Sequence, residues 1–528
     1  MTRLNDTFFL NPTTPEEVSK IILSLKNTTS TGIDNLSTNI IKKVHSIICY
    51  PLSFIINLCF EEGVFPKPLK LSIVKPIFKN GDETSLNNYR PVALIPIFAK
   101  IIEKAIHSRL YNFLENKNIL VEEQKGFRRS KSINAAIFDF LKNTMNSIDN
   151  RIPICALYMD MTKAFDYVDH EILIHKLERY GIRGKGLELL SSYLSDRHQC
   201  TKTTNINIYN KLETKYRSKF RNIKYGVPQG SVLGPLLFLV YINDLPNNIN
   251  HPTVLFADDS TIVIKYDKNY KYEDEINNTL EQSIEWLEQN NLRINLEKTQ
   301  FMQFSQRQIT QQLNIKYNRV TINETNATKF LGLIIDSKLN WKQQIQAVCK
   351  KINCSAYALY KLSKVVNRDA VLTAYHGYVE SILRYGIIFW GNSTDKNDVF
   401  VSQKKCIRAI CNLPPRESCE PYFKSLKLLT FPSLYIYEVA VFIKTHGHLF
   451  EMRPPTDTRL RTREANSLSI GRSNTALLQK SIYRMGPAIY NKLSPTIKDV
   501  EQINLFKSKF KNFLINKCFY SIDDFFKS

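Results

Sequence analysis

Glycine and proline are scarce in this chain, with 17 and 21 copies among 528 residues. So few of them exclude a fibrous or low-complexity protein. The ten cysteines form no CxxC pair, which favours reduced thiols in the cytosol or nucleus over a disulfide framework. Residues 1–6 lack the pattern of a signal peptide, and the longest apolar run, 232–242, is too short to span a bilayer. We therefore expect no membrane contact.

Charge is the most unusual feature of the composition. Apolar residues make up 43% of the chain, enough for a full core, and the length suits two to four domains. The formal net charge is +23, and residues 341–528 carry +15 of it. This excess predicts a polyanionic partner, with a catalytic body followed by a nucleic-acid-binding part. On charge alone, a solvated basic surface is an equal alternative.

The hydrophobic pattern mixes short strands with helices, which is typical of the α+β class. Residues 13–62 predict two helices around a loop. An apolar run from residue 154 has strand length and ends at Asp160. Residues 253–264 predict a hairpin, and residues 329–336 a further strand. From about residue 340 the pattern turns mostly helical.

Three carboxylates stand out within this pattern. Asp160 ends an apolar strand, and Asp258 and Asp259 occupy the tip of the predicted hairpin. Together they would form a hard-oxygen site suited to Mg²⁺, and two such ions can activate a 3′-hydroxyl group and stabilise a leaving pyrophosphate. An Asp-Asp pair alone is typical of a solvated turn. Residues 226–238 join a Pro-Gln-Gly turn to an apolar helix, and glycine permits close approach to a base and sugar.

Residues 158–166, 226–231 and 256–259 resemble, in that order, motifs A, B and C of a reverse transcriptase. Their spelling is similar to that of non-LTR (LINE-type) retrotransposons, particularly the jockey-like elements of insects. Further segments extend the resemblance over nearly the whole chain: 75–82, 88–92, 124–128, 295–299, 330–332 and 429–435. The resemblance implies an RNA-directed DNA polymerase with a right-hand shape of fingers, palm and thumb, an antiparallel palm sheet and a mostly helical, basic C-terminal region.

The resemblance also implies a role for each matching residue. Asp160, Asp258 and Asp259 would be catalytic carboxylates that bind two Mg²⁺ ions, which Mn²⁺ could replace, and Lys298 would donate a proton to pyrophosphate. Phe165 would exclude a ribose 2′-hydroxyl group and so favour dNTPs. The remaining implied contacts are with the nucleotide and its triphosphate: Arg90, one of Lys75 or Lys79, Gln229 and Gly230.

The matching segments give four predicted regions. These are an N-terminal helical extension (1–59), a reverse transcriptase domain of fingers and palm (60–336), a helical thumb (337–412) and a basic C-terminal region (413–528). Members of the resembled family usually carry an endonuclease ahead of the polymerase, and this chain begins only some 70 residues before the finger motif. We therefore expect that it lacks the N-terminal endonuclease.

The implied partners are an RNA template, a DNA primer, dNTPs, a separate endonuclease and an element RNA-binding protein. The family's use of chromosomal DNA as primer implies a nuclear location, with the cytoplasm as a second one. Two alternatives stay open at this point. One is a catalytically silent remnant that only binds nucleic acid; the other is an RNA-directed RNA polymerase, against which the bulky Phe165 argues.

Overall fold

The computed structural model describes residues 4–129, 131–206, 213–266, 272–307, 313–453 and 467–528. Within these residues all ten cysteine thiols are free, and no helix is both long enough and apolar enough to cross a membrane. The helices of the first half are α1 Pro15–Ser24, α2 Thr38–Lys43, α3 His45–Glu62, α4 Ile97–Asn116, α5 Ile133–Asp149, α6 His170–Arg179, α7 Lys185–Leu194, α8 Leu233–Ile242 and α9 Tyr272–Gln289.

The strands form largely antiparallel sheets, which confirms the α+β class. Their bounds are β1 Leu71–Phe78, β2 Tyr89–Leu94, β3 Ile154–Met159, β4 Arg197–Ile206, β5 Glu213–Arg217, β6 Arg221–Ile223, β7 Thr253–Phe256, β8 Asp259–Lys265, β9 Gln300–Phe304, β10 Lys316–Tyr317, β11 Val320–Thr321, β12 Asn323–Glu324, β13 Ala327–Phe330 and β14 Leu333–Asp336.

A central sheet carries the acidic motifs. Its strand order is β12-β9-β3-β8-β7, and β3 pairs antiparallel with both β8 and β9. All but one residue of β3 are buried, because the strand lies in the middle of the sheet with core on both faces. The predicted hairpin is confirmed, since β7 and β8 pair antiparallel around a turn at Ala257 and Asp258.

A second sheet contains both parallel and antiparallel pairs. Its strand order is β2-β1-β4-β5, and β6 also pairs with β4. β1 and β2 form an antiparallel hairpin, whereas β1 and β4 run parallel. The backbone of this sheet reaches the Pro-Gln-Gly turn, because the N–H of Ala93 on β2 donates to the carbonyl oxygen of Gln229 at 2.7 Å. The second sheet is thereby tied to this turn.

The strand predicted over residues 329–336 is wrong in one respect. The chain reverses within it, so that β13 and β14 form a tight hairpin. Leu331 and Gly332 make the turn with φ angles of 44° and 87°. Glycine adopts such an angle without steric cost, and the apolar character of the flanking residues hid the turn.

The rest of the chain is helical, as its pattern predicts, and shares one hydrophobic core with the central sheet. Tyr483 packs on Phe138 of α5 and donates its hydroxyl hydrogen to the Phe138 carbonyl oxygen at 2.6 Å. The helices are α10 Lys342–Leu362, α11 Arg368–Tyr375, α12 Ser381–Arg384, α13 Ile387–Trp390, α14 Lys396–Cys411, α15 Glu420–Ser425, α16 Phe431–Thr445, α17 Ala476–Lys480, α18 Ile482–Lys492, α19 Pro495–Lys498, α20 Ile503–Lys517 and α21 Ile522–Lys527.

A carboxylate anchors α17 to the first half of the chain. Asp149, the final residue of α5, is buried. It accepts hydrogen bonds from the backbone N–H groups of Asn474 and Thr475 at 2.9 and 2.8 Å and from the Thr475 hydroxyl at 2.7 Å. These bonds satisfy donors at the start of α17 and lower the pKa of Asp149, against the opposing effect of its burial.

Candidate active site

The central sheet brings the three predicted carboxylates together. Asp160 follows the last residue of β3, while Asp258 lies in the β7–β8 turn and Asp259 begins β8. Since Met159 pairs with Ser260 across the two strands, Asp160 and Asp259 leave the sheet at the same edge. Strand pairing therefore fixes the positions of these carboxylates.

The closeness of the three carboxylates is reflected in their effects on one another's pKa. Burial and the negative charge of Asp160 raise the pKa of Asp258, while Arg90 and Lys79 lower it in part. Burial, together with the charges of Asp258 and Asp160, raises the pKa of Asp259 to about 6. Like charges that repel each other in this way favour a cation among them.

The chemistry of the donor set fits a hard divalent ion, although the side chains are not arranged as ligands. Among the described residues no group of three or more His, Cys, Asp or Glu side chains could hold a metal ion as it stands. The oxygens of Asp160, Asp258 and Asp259 are the ligand type that Mg²⁺ prefers, and their mutual repulsion would be relieved by such an ion.

Lys298 lies at the edge of this cluster. Its Nζ is 3.9 Å from Oδ2 of Asp160, and its side chain is largely exposed. The loop that carries it is tied to the carboxylate strand, because the N–H of Asn295 donates to the Asp160 carbonyl oxygen at 2.8 Å. An exposed ammonium group beside the carboxylates can contact an anionic ligand that reaches them.

The basic residues predicted for the triphosphate lie on the β1–β2 hairpin and are all exposed. Arg90 and Lys79 are close enough to lower the pKa of Asp258, and Lys79 also lowers that of Asp166. Lys75 lies farther back on β1, opposite Val92. Of these three basic residues, Lys79 and Arg90 bring positive charge to Asp258, which favours Lys79 over Lys75.

The Pro-Gln-Gly turn is fixed to the segment after β3. Gln229 donates from Nε2 to Oδ1 of Asp166 at 2.9 Å, and His170 Nε2 lies 2.8 Å from the carbonyl oxygen of Gly226. Asp166 is half-buried, and burial raises its pKa, while the Gln229 amide lowers it. Gln229 thus joins the loops of motifs A and B through a single hydrogen bond.

Glycine is required at Gly230. Its φ of 117° lies in a region that other residues rarely adopt. A Cβ atom there would lie 2.8 Å from the carbonyl oxygen of Ala93 on β2. The turn therefore packs closer to the β1–β2 hairpin than any side chain would allow.

Phe165 belongs to motif A and lies on a short 3₁₀ helix, Ala164–Asp166. Its ring stacks on Phe238 of α8 with centroids 4.5 Å apart and meets Phe127 edge-on at 6.3 Å. These contacts hold the half-buried ring in one orientation. Asp169, a few residues on, accepts the N–H groups of Glu171 and Ile172 and so caps the start of α6.

Glu103, which was not predicted from the sequence as a residue of the site, is fully buried on α4. Its carboxylate accepts the N–H of Val232 at 2.6 Å, the N–H of Leu233 at 3.3 Å and the hydroxyl of Tyr193 at 3.2 Å. Burial raises its pKa, and the charge of Arg197 lowers it in part. The signal that could have revealed it is a single acidic residue within an otherwise apolar stripe of α4.

Gln124 and Gly126, quoted above only as part of the resemblance, support the carboxylate turn. Gln124 Oε1 accepts the N–H groups of Gly126 and Ala257 at 2.8 and 3.0 Å. Ala257 has a φ of 58°, and a Cβ on Gly126 would lie 2.4 Å from its nitrogen. The left-handed residue before Asp258 is therefore held by a segment far away in sequence.

Comparison with known proteins agrees with this arrangement. Residues 77–335 match the family model described as reverse transcriptase (RNA-dependent DNA polymerase). The chain is 29% identical, over 77% of its length and 45% of the relative, to "Probable RNA-directed DNA polymerase from transposon BS" of Drosophila melanogaster. It is 27% identical, over 77% of its length and 44% of the relative, to the RNA-directed DNA polymerase from mobile element jockey of the same species. The chain thus spans about half the length of the curated relatives it matches, and the resemblance to non-LTR retrotransposon polymerases is confirmed.

Proposed function

We propose that this protein, whose residues 77–335 match the reverse transcriptase family model, copies RNA into DNA by adding dNTPs to a DNA primer. The observation that carries the proposal is the convergence of Asp160, Asp258 and Asp259 at one edge of the central sheet, beside Lys79 and Arg90. Carboxylates with cationic side chains nearby are suited to a metal-bound triphosphate.

The proposed shape is a right hand. The central sheet with its helices would be the palm, and the β1–β2 sheet the fingers, which together would occupy residues 60–336. Residues 337–412 would form the helical thumb, residues 1–59 an N-terminal extension, and residues 413–528 a basic region that contacts the template–primer duplex. Support comes from the order of the motifs along the chain and from the shared loop at Gln229.

The carboxylates would hold two Mg²⁺ ions, or Mn²⁺ in their place, and these would supply charge stabilisation for the attacking and leaving oxygens. Asp160, Asp258 and Asp259 would bind the metal in their ionised form. Arg90 and Lys79, with Lys75 farther out, would orient the triphosphate and offset its charge. Lys298, beside Asp160, would donate a proton to the departing pyrophosphate.

The remaining residues would select and position the nucleotide. Gln229 and Gly230 would contact the incoming nucleotide and the template strand from a turn that Asp166 and Ala93 hold in place. Phe165, fixed by Phe238, would exclude the 2′-hydroxyl of a ribonucleotide. The partners would then be an RNA template, a DNA primer and dNTPs, with target nicking at chromosomal DNA in the nucleus supplied by an endonuclease and with an element RNA-binding protein assisting.

The test is Mg²⁺-dependent dNTP incorporation on an RNA template annealed to a DNA primer. We expect incorporation by the wild-type chain and none by Asp258→Asn, with duplex binding retained in both. Asp274→Asn, an exposed carboxylate change on α9, is the matched control and should keep full activity. Duplex binding without incorporation by the folded wild-type chain would contradict the proposal and favour a silent, nucleic-acid-binding remnant.

A further inference from the structure

The outer face of α3 is apolar and open to solvent. Ile47, Tyr50 and Phe54 are 73%, 64% and 69% exposed, and Leu58 is 40% exposed. Since residues three, four and seven positions apart share one side of a helix, these four side chains form one continuous strip, here called the α3 strip. Residues 46–60 contain no charged side chain. A contiguous apolar surface of this kind marks an interaction site.

The helix behind the strip is firmly seated. Leu52 and Ile56, on the opposite side of α3, are buried in the core of the N-terminal half. Asn57 accepts the N–H of Thr13 at 2.7 Å and donates to its carbonyl oxygen at 3.0 Å. The α3 strip is therefore presented on a fixed helix, so little order would be lost when a partner packs on it.

The charges at the two ends of the strip are opposite in sign. Lys43 lies just before α3, and Glu61 and Glu62 end it; all three side chains are exposed. An 18-residue helix is about 27 Å long, so the basic and acidic ends are well separated. A helix with a basic end, an acidic end and apolar residues between them is complementary in charge to a second copy of itself that runs in the opposite direction.

We infer that the α3 strip is the interface of a homodimer, in which α3 packs antiparallel against α3 of a second copy. A two-fold axis near the middle of the helix sets Ile47 opposite Leu58 and Lys43 opposite Glu62. A parallel arrangement would instead place like charges together at both ends. The inference goes beyond the proposed function, since none of these residues belongs to the carboxylate site.

The first test is sedimentation velocity of the full chain from sub-micromolar to tens of micromolar concentrations. We expect the mass to rise toward that of two chains, and Phe54→Lys to keep it at one chain throughout the range. Tyr378→Lys is the matched control, because Tyr378 is an equally exposed aromatic residue on a different part of the molecule. It should associate as the wild type does.

The second test uses the charges. Lys43→Glu and Glu62→Lys should each weaken association by about tenfold, and the double variant should restore it, because the pairs reform with reversed sign. Circular dichroism of each variant checks that the fold is kept. A single-chain mass for the wild type at every concentration, or association that Phe54→Lys leaves unchanged, would overturn the inference, whether or not the protein incorporates dNTPs.

Discussion

The carboxylate of Glu103 accepts the backbone N–H of Val232 at 2.6 Å, and so joins α4 to the residue that precedes α8. The first backbone N–H groups of a helix have no partner within the helix, and here a buried carboxylate from another element supplies one. Because Val232 lies two residues beyond Gly230, this contact also sets where the Pro-Gln-Gly turn ends.

Replacing Glu103 should destabilise the fold. Glu103→Ala leaves the Val232 and Leu233 N–H groups without their acceptor and removes the negative charge near Arg197, so we expect the free energy of unfolding to fall by about 3 kcal/mol. Chemical denaturation followed by circular dichroism measures the change. Glu103→Gln, which keeps an oxygen acceptor, should lose less. If both variants lost the same free energy of unfolding, the hydrogen bond to Val232 would not contribute to stability.

Replacing Asp259 should have the opposite effect on stability. A carboxyl group whose pKa rises to about 6 on folding binds its proton more tightly in the folded chain, so its ionisation destabilises the fold as pH rises from 3.8 to about 6. In the absence of divalent metal, Asp259→Asn should therefore gain about 1 kcal/mol at neutral pH, after allowance for solvent screening.

The pH dependence of that gain is the control. Well below pH 3.8 the carboxyl group of Asp259 is protonated in both the folded and the unfolded chain. The free energies of unfolding of Asp259→Asn and of the wild type should therefore converge. Asp274→Asn, which changes an exposed carboxylate on α9, should match the wild type at both pH values. A gain that persists in acid would assign the effect to something other than charge repulsion.

Adding a methyl group at Gly230 should impair nucleotide addition. Gly230→Ala places a Cβ 2.8 Å from the Ala93 carbonyl oxygen at a φ of 117°, so the turn must shift away from β2. We expect kcat/KM for dNTP to fall by at least about tenfold, which corresponds to about 1.4 kcal/mol. Steady-state primer extension measures it. Gly447→Ala, where a Cβ would meet nothing within 4 Å, should be unchanged.

Phe165 should decide which sugar is accepted. Phe165→Ala removes the ring that stacks on Phe238 and opens the space beside Asp166. Ribonucleotide incorporation relative to dNTP incorporation should rise on the order of 10²-fold. Competition between rNTPs and dNTPs in primer extension gives this ratio. Unchanged selectivity would remove Phe165 from the role of a gate.

The anchor at Asp149 should control the order of the C-terminal helices. Asp149→Ala leaves the N–H groups of Asn474 and Thr475 without an acceptor, and we expect faster amide hydrogen exchange across α17. Asp149→Asn keeps one oxygen acceptor and should have a smaller effect. Since the pKa of Asp149 is lowered on folding, the wild-type protection should itself decline as pH falls below about 3.8.

The carboxylate positions could be predicted from the sequence because they depend on local pattern. An apolar strand that stops at Asp160, and two apolar runs around Asp258 and Asp259, fix strand ends and a hairpin tip without any knowledge of distant contacts. The long helices followed in the same way from their 3.6-residue periodicity.

The supports of the site could not be predicted, because they join residues far apart in the chain. Glu103 lies 129 positions before Val232, and Gln124 lies 133 positions before Ala257. Periodicity does not report such pairings. The choice between Lys75 and Lys79 had the same cause, since only the folded chain shows which of the two lysines brings its positive charge to Asp258.

The clamp of Gln124 and Gly126 on the carboxylate turn bears on how copies of such a gene lose activity. Under the proposed function, a copy that keeps Asp160, Asp258 and Asp259 would still lose activity if Gly126 acquired a side chain, because a Cβ there would displace Ala257 and with it Asp258. A survey that scores genomic copies as active from these aspartates alone would therefore overestimate the number of active copies. Requiring Gln124 and Gly126 as well would lower that overestimate.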